Sequence, residues 1–314
     1  MNKVGFIGVG TMGASFASNL QKAGFDLVIY DLDKAAAASL LEAGATWAES
    51  PHALAQQVDT VLLSLPGPTE VEAVILNSNS GLVRGLKRRS AIFDLSTNSP
   101  RMVRAIHAEL ADKGIQLFDA PVSGGPRGAA SGKLAIWVGG DEVEFNARRA
   151  PLDAMGDQVK YIGPIGAGSV AKLVHNGAGY AMQCALGEIF TVGVKAGVEP
   201  VALWEAIRQG ARGRQRSFDN LTDHYLINNY DPPDFALKLA LKDVTLAAQM
   251  GHDMGVPMRM TQLAHAEMAE AMSRGWEGRD SRAYMLLQQE RADLLVEAEP
   301  EAVKSILDAD VSNR

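Results

Sequence analysis

The sequence predicts an α/β chain: a doubly wound, mainly parallel sheet followed by an all-α second half. Three observations carry this. Short apolar, β-rich runs alternate with helix-like segments through the first half of the chain. Those runs are apolar enough to be buried on both faces, as parallel strands covered by helices must be. From about residue 165 onward strand signals stop and long segments with helical periodicity take over. At 314 residues the chain is long enough for two cores of ordinary size.

The first strand is KVGFIGV (3–9), and glycines separate it from an amphipathic helix over 11–24. FDLVIYD (25–31) reads as the second strand and KAAAASLLEAG (34–44) as a helix closed by a glycine cap. VDTVLLSL (58–65), SAIFDLS (90–96), IQLFDA (115–120) and KLAIWVGG (133–140) continue the strand series, with helices between. The second half reads as helices over 166–196, 200–211, 236–256, 258–275 and 280–297, then a short polar helix and a frayed tail. The texture changes near Gly163–Gly166, which places one domain at 1–163 and a second at 164–314, with the helix over 164–196 joining them.

Composition narrows the function. With 47% hydrophobic and 21% charged residues the chain has a globular composition. A net charge of −7 offers no basic footprint for nucleic acid or an anionic membrane, so any anion must be held by a local pocket. The single cysteine, Cys184, sits in a helical pattern and reads as a small core residue. No disulfide framework or metal-ligand spacing can be built from it. The N-terminal residues run directly into a strand without a signal pattern, and no segment reads as a membrane span, so a cytoplasmic location is expected.

Gly8-Val9-Gly10-Thr11-Met12-Gly13 is a GxGxxG run that follows a strand and opens a helix, the context that marks a dinucleotide site. Gly8 permits the tight turn, Gly10 lets the backbone approach a pyrophosphate, and Gly13 lets helix and strand pack closely. The backbone at Thr11 and Met12 then offers N–H groups and a favourable helix dipole to the phosphates. Asp31 closes the second strand about 20 residues on, where an acid binds the adenosine ribose 2′-hydroxyl. A carboxylate there repels a 2′-phosphate, and Leu32-Asp33 offers no arginine to receive one. NAD is therefore expected over NADP.

Two further loops follow strands at the end where open α/β sheets bind ligands: Leu65-Pro66-Gly67-Pro68 and Leu95-Ser96-Thr97-Asn98-Ser99-Pro100. Ser99-Pro100 is also good helix-capping chemistry, so position alone leaves cofactor contact by Ser96 and Thr97 open. In Asp119-Ala-Pro-Val-Ser-Gly-Gly-Pro-Arg-Gly-Ala, Ser123 with Gly124 and Gly125 can present a hydroxyl and consecutive N–H groups to a carboxylate, or can be an ordinary loop. Lys172 and Asn176, four residues apart on a helix, share a face; His175 is a step away around the helix and need not share it. The surrounding SVAKLVHNGAGYAM is mostly small and apolar, where an unused lysine is costly.

Together the glycine fingerprint, the 96–100 and 119–129 segments, and Gly166-x-Gly168-xxx-Lys172-xxx-Asn176 resemble the β-hydroxyacid dehydrogenase family, typified by 3-hydroxyisobutyrate dehydrogenase. Phe235-Ala-Leu-Lys-Leu-Ala-Leu-Lys242-Asp243 is similar to that family's late lysine–aspartate motif, and the match spans about residues 1–295. The resemblance implies a Rossmann-type NAD-binding domain, an all-helical second domain and NAD(P)-dependent oxidation of a small 3-hydroxy acid. It implies that Lys172 is the catalytic lysine, that Ser123, Gly124 and Asn176 bind the substrate, and that Ser96, Thr97 and Lys242 lie by the nicotinamide. For the base role Lys172 needs a lowered pKa, which Lys242 or an apolar site can supply.

Rival readings are weaker. Lys172-Leu-Val-His-Asn-Gly-x-x-Tyr180 also resembles the catalytic helix of 6-phosphogluconate dehydrogenase, an oxidative decarboxylase. Gly179 stands where that family has its acid, and the chain is too short for its helical domain. Imine reductases replace the lysine, and a non-catalytic Rossmann-type binding protein would have damaged motifs. Arg212, Arg214 and Arg216 form a basic run after a helix. They complement the helix dipole, or Arg212 and Arg214 bind a second anion on the substrate. Long apolar helices fit a homodimer or homotetramer.

Overall fold

Successive residues of the first strand, β1 (Lys3–Ile7), enter different cores: Val4 and Phe6 join one, Ile7 the other. The same alternation separates Leu62 from Leu63, Phe93 from Ile92 and Phe118 from Leu117. Two apolar faces on each strand require a helical layer on each side of the sheet, which is why the strands read as continuous apolar runs. The structure is a computed structural model and describes residues 3–210, 213, 221–253, 255 and 257–312. It divides into two units, Met1–His175 and Asn176–Arg314.

In the first unit the strands after β1 are β2 (Asp26–Tyr30), β3 (Thr46–Trp47), β4 (Thr60–Leu63), β5 (Ala91–Asp94) and β6 (Gln116–Asp119). They continue with β7 (Val122–Ser123), β8 (Ala135–Gly139) and β9 (Gln158–Gly163). The order β3-β2-β1-β4-β5-β6 is fully parallel and is that of a Rossmann-type sheet. β8 then runs antiparallel to β6 and β7 and parallel to β9.

The sequence reading did not anticipate β3, β7 and β9. The first two are two residues long, too short for any periodicity to register. β9 is half exposed along its length and carries Gln158 and Lys160, so it lacks the apolar signature of the inner strands. The helix expected over 34–44 begins as a tight turn of 3₁₀ helix, Lys34–Ala37, because the Asp33 carboxylate accepts the Ala35 N–H at 2.9 Å; the α-helix proper is Ala38–Glu42.

The second unit is helical among its described residues. Asn176 onward completes the helix Ala167–Lys195, followed by Pro200–Gln209, Leu237–Asp253, Arg259–Ser273, Leu286–Arg291 and Pro300–Ser312. Trp204, Tyr225, Leu237, Val244, Met268, Tyr284 and Leu287 centre its core. Cys184 is half-buried against this core rather than inside it. The single helix expected over 280–297 is broken. Asp280 is fully buried, and its carboxylate accepts N–H groups from Asp234, Phe235 and Arg282, which holds its segment in a loop. Farther on, Asp293 takes a left-handed φ of 49° and the chain leaves the helix there. Among the described residues no helix is long and apolar enough to cross a membrane, and no cluster of His, Cys, Asp or Glu could hold a metal ion.

Candidate active site

The fingerprint turn follows β1 directly. Gly8 has φ +90°, and its N–H donates to the Tyr30 carbonyl at 3.0 Å. A Cβ at Gly13 would lie 1.8 Å from the Gly8 oxygen, so only glycine lets the helix Gly13–Lys22 start this close to the strand. A Cβ at Gly10 would meet no atom within 4 Å. The space beside this backbone is open, and any side chain there would project into it. No side chain caps the helix and its first turn carries no acid. The turn therefore fits the pyrophosphate of a dinucleotide, with Thr11 exposed and Met12 half-buried beside it.

Asp31, at the end of β2, accepts the Val9 N–H on Oδ2 at 2.7 Å and the Asp33 N–H on Oδ1 at 3.0 Å. It thus braces the fingerprint turn. Lys34, the cation that follows, has its ammonium 5.2 Å from the Trp47 ring centroid.

At the ends of β4 and β5 the two expected loops are tied together. Ser96 Oγ accepts the Leu65 N–H at 2.9 Å, and the Ser96 N–H donates to Asp94. The other Asp94 oxygen accepts from Asn98 Nδ2 at 3.0 Å. Asp94 is buried, and the loss of solvation pushes its carboxyl up to about 6 despite those donors. Ser96 is buried in this bracing role; Pro66 is exposed and Thr97 half-buried. Ser99 caps the next helix, though weakly, at 3.5 Å from the Met102 N–H.

Asp119 ends β6 in register with Asp94. Its buried carboxylate accepts the Gly166 N–H at 2.8 Å and the Ser169 N–H at 2.6 Å, the start of the long helix. Burial raises its pKa, opposed by these same donors. Gly168 makes the close approach feasible: a Cβ there would lie 2.2 Å from the Trp137 oxygen and 2.5 Å from the Asp119 oxygen. The local sequence around Asp119 assigns it no task. Its signal was an acid at a strand end in the same chain as an uncapped glycine-rich helix start, a long-range pairing no local pattern shows.

The helix fixed in this way carries Lys172 and His175. Lys172 is half-buried. His175 Nε2 is 3.2 Å from Ser123 Oγ. Its ring lies 5.3 Å from that of Trp137 on β8. Partial burial, and secondarily the Lys172 charge, hold the imidazole below the usual histidine range. Gly124 and Gly125 take φ of +140° and +58°, and both are exposed at the start of the helix Gly125–Ser131.

In the second unit Asp243 is buried and holds two expected site residues. It accepts from Asn176 Nδ2 at 2.7 Å and pairs with Lys242 Nζ at 3.0 Å. Gly179 faces open space, with no acid in that position. Arg212 and Arg214 lie outside the described residues, as does Arg216.

Fold and fingerprint define a dinucleotide-dependent oxidoreductase of Rossmann type. Comparison with known proteins makes this specific. Residues 3–163 match the family model described as the NAD binding domain of 6-phosphogluconate dehydrogenase. Residues 166–287 match the one described as the NAD-binding of NADP-dependent 3-hydroxyisobutyrate dehydrogenase. The chain is 34% identical over 262 residues to 2-(hydroxymethyl)glutarate dehydrogenase of Eubacterium barkeri, covering 83% of this chain and 86% of that one. It is 32% identical over 285 residues to the NAD-dependent L-serine dehydrogenase of Pseudomonas aeruginosa, covering 89% and 95%. The crystal structure of a 3-hydroxyisobutyrate dehydrogenase from Salmonella typhimurium superposes with a TM-score of 0.80 at 28% identity, covering 91% of this chain and 99% of that one. The chain belongs to the β-hydroxyacid dehydrogenase family of NAD(P)-dependent oxidoreductases.

Proposed function

We propose that this protein oxidises a small 3-hydroxy acid to its semialdehyde or keto acid, or runs the reverse reduction, with NAD as the preferred cofactor and Lys172 as general acid/base. The observation that carries the reading is the helix start locked by Asp119. It fixes Lys172 in the same unit as the fingerprint turn and as Ser123. Gly8, Gly10, Gly13 and the backbone at Thr11 and Met12 would hold the cofactor's pyrophosphate, and Asp31 its ribose. Leu65, Pro66, Ser96, Thr97 and Lys242 would line the way to its nicotinamide. When bound, the nicotinamide supplies the hydride acceptor.

The chain's own part is acid–base and positional. Ser123 Oγ, with the N–H groups of Gly124 and Gly125, receives the substrate carboxylate. Asn176, one turn beyond Lys172, contacts the substrate, oriented by Asp243. The Lys172 amine takes the hydroxyl proton as the carbonyl forms and returns it in the reverse direction, a role generally worth about 10²–10⁴ in rate. A carboxylate at residue 31, and a Lys34 engaged with Trp47, favour a free 2′-hydroxyl over a 2′-phosphate. Gly179 in place of an acid favours simple hydride transfer over oxidative decarboxylation. Likeness to a 2-(hydroxymethyl)glutarate dehydrogenase supports a second anionic group on the substrate, for which Arg212 and Arg214 are the candidates. Exposed Met182, Met260 and Leu263 support assembly as a homodimer or homotetramer.

The test is NADH absorbance across small mono- and di-anionic 3-hydroxy acids, with NAD and NADP in parallel. Turnover of at least one acid is expected, with NAD favoured in kcat/KM. Lys172→Met should lower kcat by about 10³ while NADH binding persists. Turnover like the wild type in that variant rejects the lysine, and a tenfold preference for NADP rejects the cofactor assignment.

A further inference from the structure

We propose that His224 is a positioning residue: with hydrogen on both ring nitrogens, it clamps the buried Asp280 that sets the start of the helix carrying Lys242 and Asp243. The proposal rests on the dehydrogenase reading above, in which Lys242 lies by the nicotinamide. The two hydrogens follow from what the ring faces. His224 Nδ1 is 2.6 Å from the Asn229 carbonyl, which can only accept, so Nδ1 carries hydrogen. Nε2 lies 3.3 Å from an Asp234 oxygen and 3.4 Å from an Asp280 oxygen, which are acceptors as well. A neutral ring would turn a bare Nε2 lone pair on two carboxylates. An imidazolium donates on both sides.

The clamp reaches the helix through Asp280. The oxygen that faces His224 also accepts the N–H groups of Asp234 and Phe235, at 3.1 and 3.3 Å. Beside it Leu237 and Lys238, which open the helix Leu237–Asp253, donate to the carbonyls of Arg279 and Glu277. The 277–280 segment thus serves as the cap of that helix, and Lys242 and Asp243 sit within its first two turns. Burial raises the Asp280 carboxyl, opposed by its N–H donors. A charge on His224, itself buried, offsets that burial where water cannot. Two arginines stand near. Arg282 is 3.6 Å from the far Asp280 oxygen, and Arg279 pairs with Asp231 at 3.1 Å over the Tyr230 ring that stacks on His224. Asp223, the preceding residue, accepts from Thr222. A free imidazole has released its proton above about pH 6.5. The clamped ring keeps it, so the clamp is present in full below that pH and is lost as pH rises through the value in the folded chain.

The test reads the ring and then its effect. In the full chain labelled with nitrogen-15 histidine, the His224 signals are those that vanish in His224→Gln. Both of its nitrogens should carry hydrogen at about pH 7.5. In Asp280→Asn, which removes the counter-charge, one of them should be bare at the same pH. Should that variant fail to fold, the wild-type spectrum decides alone. NADH fluorescence titration reads the positioning. His224→Gln keeps a donor but no charge, and should weaken NADH about tenfold at pH 7.5, the scale of one charge-assisted hydrogen bond. Between about pH 7.5 and pH 9.5 the wild-type affinity should fall toward that of the variant, whose own affinity stays flat. A purely structural role would move Tm and leave both affinities alike. A bare Nε2 in the wild type, or an NADH affinity indifferent to residue 224, overturns the proposal. A wild type that binds no NADH refutes the dehydrogenase reading and the positioning role with it, while the ring spectrum still decides the proton.

Discussion

Two glycine-rich turns in this chain lead from a strand into a helix, and they differ in what meets the helix start. The Gly8–Gly13 turn joins β1 to the helix Gly13–Lys22, which has no side-chain cap and no acid in its first turn. The Gly163–Gly168 turn joins β9 to the helix Ala167–Lys195, and there the Asp119 carboxylate fills the start with two N–H acceptances. In sequence the two runs look alike. One leaves an anion site for a ligand; the other has satisfied its helix with an anion of its own. Glycine spacing reports close backbone approach, and the neighbouring side chain decides whether that approach serves a ligand or the fold.

The comparison breaks most easily at the first turn. Gly13→Ala should lower NADH affinity about 100-fold or more and also reduce Tm, because its Cβ would meet the Gly8 oxygen at 1.8 Å. Gly10→Ala should leave Tm unchanged while still weakening NADH about tenfold, since its Cβ enters open space kept for the ligand. Fluorescence titration and thermal melts of the two variants check both parts. Equal Tm losses would mean the space at Gly10 is structural.

A smaller effect probes the carboxylates behind the second turn. Asp94, in register with Asp119, is raised by burial and, least of all, by the Asp119 charge to a pKa of about 6 in the folded chain, against 3.8 for the free side chain. The folded state then binds more protons than the unfolded one across that window. The Asp94 contribution is most favourable below pH 4 and is lost as pH rises through about 6. That amounts to about 3 kcal/mol at most, from about two pKa units at about 1.4 kcal/mol each. Relative to wild type, Asp94→Asn should gain stability between pH 4 and pH 7; denaturant melts showing parallel curves would contradict this.

The smallest expected effect is at Asp119. Asp119→Ala should destabilise the protein by about 2 kcal/mol, the cost of leaving two buried helix N–H groups unpaired less the relief of desolvating a carboxylate. Its NADH affinity should stay within about threefold of wild type, because the fingerprint turn is untouched. Loss of cofactor binding without loss of stability would place Asp119 in the wrong turn.

What was legible in the sequence was local. The apolar strands β1, β2, β4, β5 and β6, the fingerprint and the Lys172–Asn176 spacing all lie within short windows, where strand or helix period and glycine placement speak directly. Two-residue strands, the antiparallel entry of β8 and the break after Asp280 did not show, because each depends on partners far along the chain. The candidate site divides in the same way. Its residue types were readable, but their roles toward one another were not.

The sequence by itself determined an alternating α/β half with a dinucleotide turn, a helical half, and a lysine on the helix that follows the second glycine run. Backbone propensity, apolar period and glycine chemistry are properties of neighbouring residues, so they survive in a string. Only the tertiary structure decided that Asp119 closes the second turn, that Asp243 holds Asn176 and Lys242, and that His175 meets Ser123. Those pairings join residues separated by 47 and 52 positions in two cases, and hydrogen bonds of a few ångströms can be set only once the chain has folded.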